Sequence, residues 1–291
     1  MRIVLVTGGN GQLGKELQRA LPVSDDLIYL FHDVDTLDIC NPDLLDLFVR
    51  NFRPECIINC AAYTAVDKAE EEQDTAYRIN AQAVRNLVEA AREYDMQLIH
   101  ISTDFIFDGL SDRPYREDDL PNPLSVYGKS KLAGEKAMME QKTGIIIRTS
   151  WLYSPFGNNF VRTMLHLGRQ RNEVAVVNDQ IGTPTRAKDL AAALIRIVGA
   201  LRERKASAVA DIFNYSNEGQ CSWYEFAVEI MQAAGLSCRV IPIPSAEYLQ
   251  QAQRPRFSVL DKTKIKERFG LTIPHWRPAL NDCIEEIIKN T

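Results

Sequence analysis

Hydrophobic positions along the first half of the chain come in two alternating textures. Short runs that are almost wholly apolar, at residues 3–6, 27–31, 56–59, 98–102 and 145–147, are separated by longer stretches in which apolar residues recur every third or fourth position. The first texture predicts strands buried on both faces, the second amphipathic helices. Leu13, Leu17 and Leu21 set a helix over 12–21, and Ala76, Ile79, Ala83, Leu87 and Ala90 share one face of a helix over 74–94. Asn41 followed by Pro42 reads as an N-cap and a first helical turn, and 123–139 reads as a further helix. Strands and helices in strict alternation imply a parallel sheet covered on both sides. Right-handed crossovers then make it doubly wound.

After Thr149 the pattern loosens. Helices are expected over 158–170, 186–201 and 222–234, and strands over 174–177 and 211–215. Ser222 with Glu225 three residues on is a capping box. Beyond it stand Pro242, Pro244, Pro255, Pro274 and Pro278, which argue against long regular elements.

Composition narrows the partners. The chain has 291 residues, 45% hydrophobic and 25% charged, with a formal net charge of −5. These proportions fit a globular protein and exclude a disordered tail, a collagen-like fibre and a small disulfide scaffold. Mild acidity supplies no positive field for nucleic acid, so none is expected as partner. No apolar stretch approaches the ~18 residues of a membrane span; the longest, 190–201, is broken by Arg196 and Gly199. The six cysteines form neither a CxxC pair nor a Cys/His cluster, so free thiols are expected rather than zinc ligands. With no apolar signal region at Met1-Arg2, a cytoplasmic location is expected.

Two motifs carry chemistry. Thr7-Gly8-Gly9-Asn10-Gly11-Gln12-Leu13-Gly14 lies between the first strand and the first helix. Gly8, Gly11 and Gly14 there allow a tight turn and close approach to a pyrophosphate, with a helix N-terminus behind the anion. The expected fold is therefore α/β, a Rossmann-like doubly wound parallel sheet with a smaller C-terminal substrate-binding lobe. Residues 1–150 form the dinucleotide-binding domain, with about 170–200 returning to it; 151–291 are mainly the lobe. Asp33 and Asp35, about 20 residues past the glycines, stand where an acidic group binds the adenosine ribose. The second motif is Tyr127-Gly128-Lys129-Ser130-Lys131. Tyr127 and Lys131 share a helix face, and a nearby ammonium lowers a phenol's pKa, fitting it for proton transfer to or from an alcohol. Ser102-Thr103-Asp104 closes the preceding strand, where a hydroxyl can reach a substrate oxygen. His100 reads as a packed strand residue, and Glu70-Glu71-Glu72 as a solvated helix start.

These motifs resemble those of the extended short-chain dehydrogenase/reductase superfamily. Ala61-Ala62-Tyr63-Thr64-Ala65-Val66-Asp67-Lys68-Ala69-Glu70, Ser102-Thr103-Asp104-Phe105, Asn122-Pro123 through Glu135, Arg148-Thr149-Ser150-Trp151, Asp179-Gln180-Ile181-Gly182-Thr183-Pro184 and Arg254-Pro255 resemble its dTDP-4-dehydrorhamnose reductase family. The resemblance runs along essentially the whole chain. It implies reduction by NADPH or NADH of the C4 ketone of a dTDP-keto-sugar. Tyr127 would be the proton donor, Thr103 would polarise the ketone, and Lys131 would tune the tyrosine and hold the nicotinamide ribose. Gly8, Gly11, Gln12, Leu13, Asp38, Ile39, Ala61, Ala62, Tyr63 and Asn80 would join Tyr127 and Lys131 around the cofactor, Asn80 by shaping the lysine's hydrogen bonds. Thr64, Val66, Trp151, Asn158 and Arg254 would join Thr103 at the substrate. Some relatives hold Mg2+ at a dimer interface. Glu16 matches one such ligand but Lys188-Asp189 only in part, so no metal is expected, and a homodimer stays open. Alternatives are a nucleotide-sugar epimerase or dehydratase and a non-catalytic NADP-binding regulatory subunit like the methionine adenosyltransferase beta subunit. Phe105, where dehydratases carry an acid, disfavours dehydration.

Overall fold

A computed structural model of the chain describes residues 2–21, 26–203 and 210–290. The first half holds β1 (Arg2–Thr7), α1 (Gln12–Ala20), β2 (Leu27–His32), α2 (Pro42–Phe52), β3 (Cys56–Asn59), α3 (Gln73–Tyr77), α4 (Ala83–Glu93), β4 (Gln97–Thr103), α5 (Val126–Glu140) and β5 (Ile145–Thr149). The second half opens with β6 (Leu152–Tyr153), α6 (Phe160–Gln170), β7 (Glu173–Val177), β8 (Ile181–Gly182), β9 (Thr185–Arg186) and α7 (Ala187–Glu203). It closes with β10 (Asp211–Asn214), β11 (Cys221–Ser222), α8 (Trp223–Ala233), β12 (Arg239–Ile243), α9 (Thr263–Phe269) and α10 (Trp276–Lys289).

The main sheet runs β2-β1-β3-β4-β5-β10, parallel at every pairing. From β1 the chain steps out to β2 and then crosses to β3 on the other side. That reversal opens a crevice at the carboxyl ends of β1 and β3. Period-two alternation sorts the core. Val4, Val6, Ile58, Ile99 and Ile147 face α1 and α7, while Leu5, Ile57, Leu98 and Ile146 face α2 and α4. A third core, built around Phe226, Ile230, Trp276 and Ile284, lies among α6, α8 and α10 beside the parallel pair β7–β12. The doubly wound parallel sheet expected from the alternation is the fold observed.

Several boundaries differ for local reasons. The helix expected over 123–139 begins at Val126, because Ser125 caps it by accepting the Gly128 N–H. The long helix expected over 74–94 is broken by a π turn, Arg78–Gln82, that carries Asn80. Such a turn accommodates one extra residue and is common at functional sites. The prolines near the C-terminus do not prevent a long helix, contrary to expectation. Pro278 falls in the first turn of α10, where its missing N–H has no intrahelical partner to lose. The capping box at Ser222 and Glu225 is formed as read, and so is the Asn41 cap.

Among the described residues, one ion pair is wholly inside. Arg148 of β5 meets Glu135 of α5 at 2.8 Å, each side chain 2% exposed. Ser102 donates to the same carboxylate at 2.5 Å, and Arg148 also donates to the Glu117 carbonyl. Removing one partner strands a charge in the interior. Glu135→Leu is therefore expected to cost about 3–5 kcal/mol of stability in urea denaturation, with most of the loss recovered by adding Arg148→Met.

Candidate active site

A cleft of about 900 Å3 opens at the carboxyl ends of the central strands. That is room for a dinucleotide portion together with a second ligand. On the β1 side its wall holds Gly8, Gly11, Gln12 and Leu13, with Asp33, Asp38 and Ile39 further out. Gly8 has φ +69°, and a Cβ there would stand 2.6 Å from the Ala61 nitrogen. The turn and the end of β3 thus approach as closely as bare backbone permits. Gln12 also braces the far side of the cleft. Its Oε1 accepts from Asn159 at 2.9 Å and Ser154 at 3.2 Å, tying the head of α1 to the loop before α6. Asp33 is held in place by the N–H groups of Asn10 and Val34, both at 2.9 Å.

The middle of the wall comes from Ala61, Ala62, Thr64 and Val66. Tyr63 and Asn80 are not on it. The Tyr63 hydroxyl points away, donating to Glu72 at 2.7 Å. Asn80 is buried and clamps the wall from behind. It accepts the Tyr63 N–H at 2.9 Å and donates to the Tyr63 carbonyl and to Ser130 Oγ. It therefore fixes the 61–64 segment against α5, and its own hydrogen bonds go to Tyr63 and Ser130 rather than directly to Lys131.

Thr103, Tyr127 and Lys131 meet in the same cleft. Thr103 ends β4, and its hydroxyl lies beside the Tyr127 phenol on the cleft wall. It also contacts Asp104 Oδ1 at 3.2 Å and accepts the Phe105 N–H. The expected lysine–tyrosine coupling is absent. Lys131 Nζ donates to the Ile101 carbonyl at 2.6 Å and lies 3.3 Å from His100 Nε2. Burial pushes the Tyr127 phenol up to about 12, with the Thr103 hydroxyl only partly opposing it. Burial also drives the Lys131 ammonium down to about 8. Burial, rather than a neighbouring cation, gives the tyrosine its direction. His100 is packed, as read, but against the lysine itself.

The outer wall is aromatic. Trp151, at φ +46°, stacks on Trp223 with ring centroids 3.5 Å apart and planes 9° apart. Phe160 packs on Trp223 in turn, and Asn158 completes this end. Sequence reasoning missed Trp223 and Phe160. Each is the first residue of a helix behind a Ser or Asn cap, which aims it toward the strand ends. Arg254 lies on the rim, bonded through both terminal nitrogens to Asp67 at 2.6 and 3.0 Å. That pairing holds the Asp67 carboxyl below its ordinary range.

The residues at Glu16 do not fit a divalent cation. Its buried carboxylate faces Arg19, which also pairs with Glu286, and Arg186 pairs with Asp282 and Glu286. Guanidinium groups supply the positive charge there. Among the described residues no group of three or more His, Cys, Asp or Glu could hold a metal.

The chain is similar to known proteins in sequence and fold. The family model described as RmlD substrate binding domain matches residues 1–289. The chain belongs to this family. A dTDP-4-dehydrorhamnose reductase of Escherichia coli K12 is 39% identical, covering 99% of both chains. The spore coat polysaccharide biosynthesis protein SpsK of Bacillus subtilis is 40% identical, covering 98% of both. The crystal structure of a dTDP-4-dehydrorhamnose reductase from Bacillus anthracis, in complex with NADP, superposes with a TM-score of 0.91. It is 39% identical and covers 98% of this chain and 100% of that one.

Two measurements test the site as a family member. Gly8→Ala is expected to weaken dinucleotide binding at least tenfold by fluorescence titration, because its Cβ would drive the turn off Ala61. Asp104 is fully buried, and its carboxyl is pushed up to about 7 by burial against hydrogen bonds from Ser258 and Thr103. Raised above its unfolded value, it makes the folded state bind the extra proton. Stability from this group is thus present at low pH and falls, by about 1.4 kcal/mol per pH unit, between about pH 4 and pH 7. Asp104→Asn is expected to gain on the wild type across that window in urea denaturation and to hold the gain above it.

Proposed function

We propose that the protein reduces the C4 ketone of dTDP-4-dehydro-L-rhamnose to give dTDP-L-rhamnose, using NADPH or NADH. The observation that carries this reading is the Thr103–Tyr127 hydroxyl pair, set on a cleft wall that a glycine turn shapes for a pyrophosphate. Gly8, Gly11, Gln12 and Leu13 would hold the pyrophosphate, and Asp33, Asp38 and Ile39 the adenosine end. Lys131 would face the nicotinamide ribose. The nicotinamide, when bound, supplies the hydride.

The chain's own groups supply the rest. Thr103 Oγ orients and polarises the ketone oxygen. Tyr127 Oη donates the proton as that oxygen becomes an alkoxide. Reduction needs the phenol in its acid form, and at about 12 it is fully loaded at neutral pH. An alkoxide is more basic still, so the transfer runs downhill. Trp151 and Trp223 exclude water and offer a flat face to the hexose, with Thr64, Val66 and Asn158 around it. Arg254 exchanges its bond with Asp67 for the substrate diphosphate. Phe105 contributes no carboxylate with which to eliminate water. The six free cysteines suit a reducing compartment, and we place the reaction in the cytoplasm.

The test is nicotinamide oxidation with dTDP-4-dehydro-L-rhamnose generated in situ, NADPH and NADH in parallel. Substrate-dependent oxidation is expected; none, from folded protein that binds cofactor, moves the substrate to another keto-sugar. Tyr127→Phe should lose about 10²–10⁴ in kcat while binding cofactor normally. Near-normal turnover in that variant removes the acid role.

A further inference from the structure

Lys131 is 1% exposed, and no carboxylate hydrogen-bonds it. What it meets is His100, and the tautomer of that ring can be read from its neighbours. Asn59, fully buried at the end of β3, accepts the Ala61 N–H at 3.2 Å and the Thr7 hydroxyl at 2.7 Å on Oδ1. A backbone N–H can only donate, so the amide cannot be flipped. Its Nδ2 therefore donates to His100 Nδ1 at 2.9 Å. A neutral imidazole that accepts on Nδ1 carries its proton on Nε2. That Nε2 lies 3.3 Å from Lys131 Nζ. An amine has a lone pair to receive the N–H; an ammonium has none.

We propose that His100 is a positioning residue: held by Asn59 with its proton on Nε2, it favours the amine form of Lys131 until a nicotinamide dinucleotide binds, when that form takes up a proton from solvent. The event is balanced as amine plus solvent proton giving ammonium, and the ribose hydroxyls then accept its N–H groups. The proposal rests on the reading above that Lys131 faces that ribose.

The groups around Lys131 agree. Glu135 of the same helix raises its pKa, but that carboxylate is already shared between Arg148 and Ser102. Cys60, from the end of β3, is pushed up to about 12 by burial and is an uncharged thiol. From the π turn, Asn80 is neutral and Arg78 stands on the cleft wall as a further cation. Asp104 bears on Thr103 and Tyr127. Burial and the lysine hold the His100 imidazolium well below its ordinary pKa, so the ring stays neutral and Lys131 is the group that titrates.

The tautomer is read directly by nitrogen-15 NMR of the cofactor-free protein, which has only four histidines to assign. Protonated Nε2 with bare Nδ1 is expected; protonated Nδ1, or an imidazolium, overturns the proposal. Proton uptake is read by calorimetric titration with NADH, or NADPH, in buffers of different ionisation enthalpy. At about pH 8.5 the wild type should take up about three quarters of a proton per site. His100→Leu should take up less than half as much, and the basic limb of its kcat/KM profile should move up by about one pH unit. Asn59→Asp, which accepts from Nδ1–H and turns the lone pair of Nε2 toward the lysine, should lose the uptake as well. No uptake in the wild type, or unchanged uptake in His100→Leu, overturns the proposal. Where His100→Leu fails to fold, the wild-type uptake and the tautomer still decide. If neither cofactor binds, the functional reading fails instead, and the tautomer alone then tests His100.

Discussion

Helix α5 buries a serine, a lysine and a glutamate in the interior of the protein, and the active site depends on each of them having a partner. Burying a polar group without one costs several kcal/mol, so a helix of this composition docks only where the partners are prepared. Ser130 donates to the Tyr127 carbonyl and accepts from Asn80. Glu135 is taken by Arg148 and Ser102. Lys131 meets the Ile101 carbonyl and His100. Close backbone approach completes the fit: a Cβ on Gly128 would lie 2.2 Å from the Phe105 carbonyl oxygen. The polar contacts fix the rotation of the helix, and the glycine fixes its distance from the end of β4. Together they set Tyr127 against Thr103.

The cleft is assembled from segments far apart in the chain, and its rigidity comes from side chains that join them. Gln12 reaches Asn159 and Ser154, Asn59 joins Thr7 to His100, Asn80 joins the 61–64 segment to α5, and Asp67 holds Arg254. All but Asp67 are neutral amides or hydroxyls that bridge in two directions. An amide satisfies a donor and an acceptor at once without the desolvation cost of a charge. That is why the crossing point of a parallel sheet, where strand ends leave backbone groups unpaired, is crowded with them.

Much of the fold was legible because its signals are local. Short apolar runs, the Asn41 cap and the Ser222–Glu225 box each depend on neighbours within a few residues, and all formed as read. The glycine turn, Thr103, Tyr127 and Lys131 were legible by motif, and the structure sets them in one cleft. Long-range placements were not. Nothing near Trp223 announces that it stacks on Trp151, some 70 residues earlier in the chain. The π turn at Asn80 is invisible to a period of 3.6, and the contact its side chain makes is to Ser130 on another helix. The most instructive miss is the tyrosine. Spacing placed Lys131 on the face of Tyr127, and proximity suggested a lowered phenol pKa. Spacing carries no information on solvent, and burial reverses the sign.

That reversal makes chemical sense once Arg148 is considered. Glu135 stands one turn beyond Lys131 on the same helix, the position from which a carboxylate would pin the ammonium. Arg148 occupies it in two-pronged contact, at 3.1 Å to Oε1 and 2.8 Å to Oε2. The carboxylate's charge is thereby largely spent on a guanidinium that cannot titrate. What remains raises Lys131 less than burial lowers it. A pair that looks purely structural thus leaves the neighbouring lysine without a permanent counter-ion. With the phenol loaded, Lys131 and Asp104 are then the groups of this site free to change their charge near working pH. Were Arg148 absent, Glu135 would claim the lysine, and the ammonium would be fixed whatever stood in the cleft. The interior ion pair and the reactivity of the site are one electrostatic arrangement.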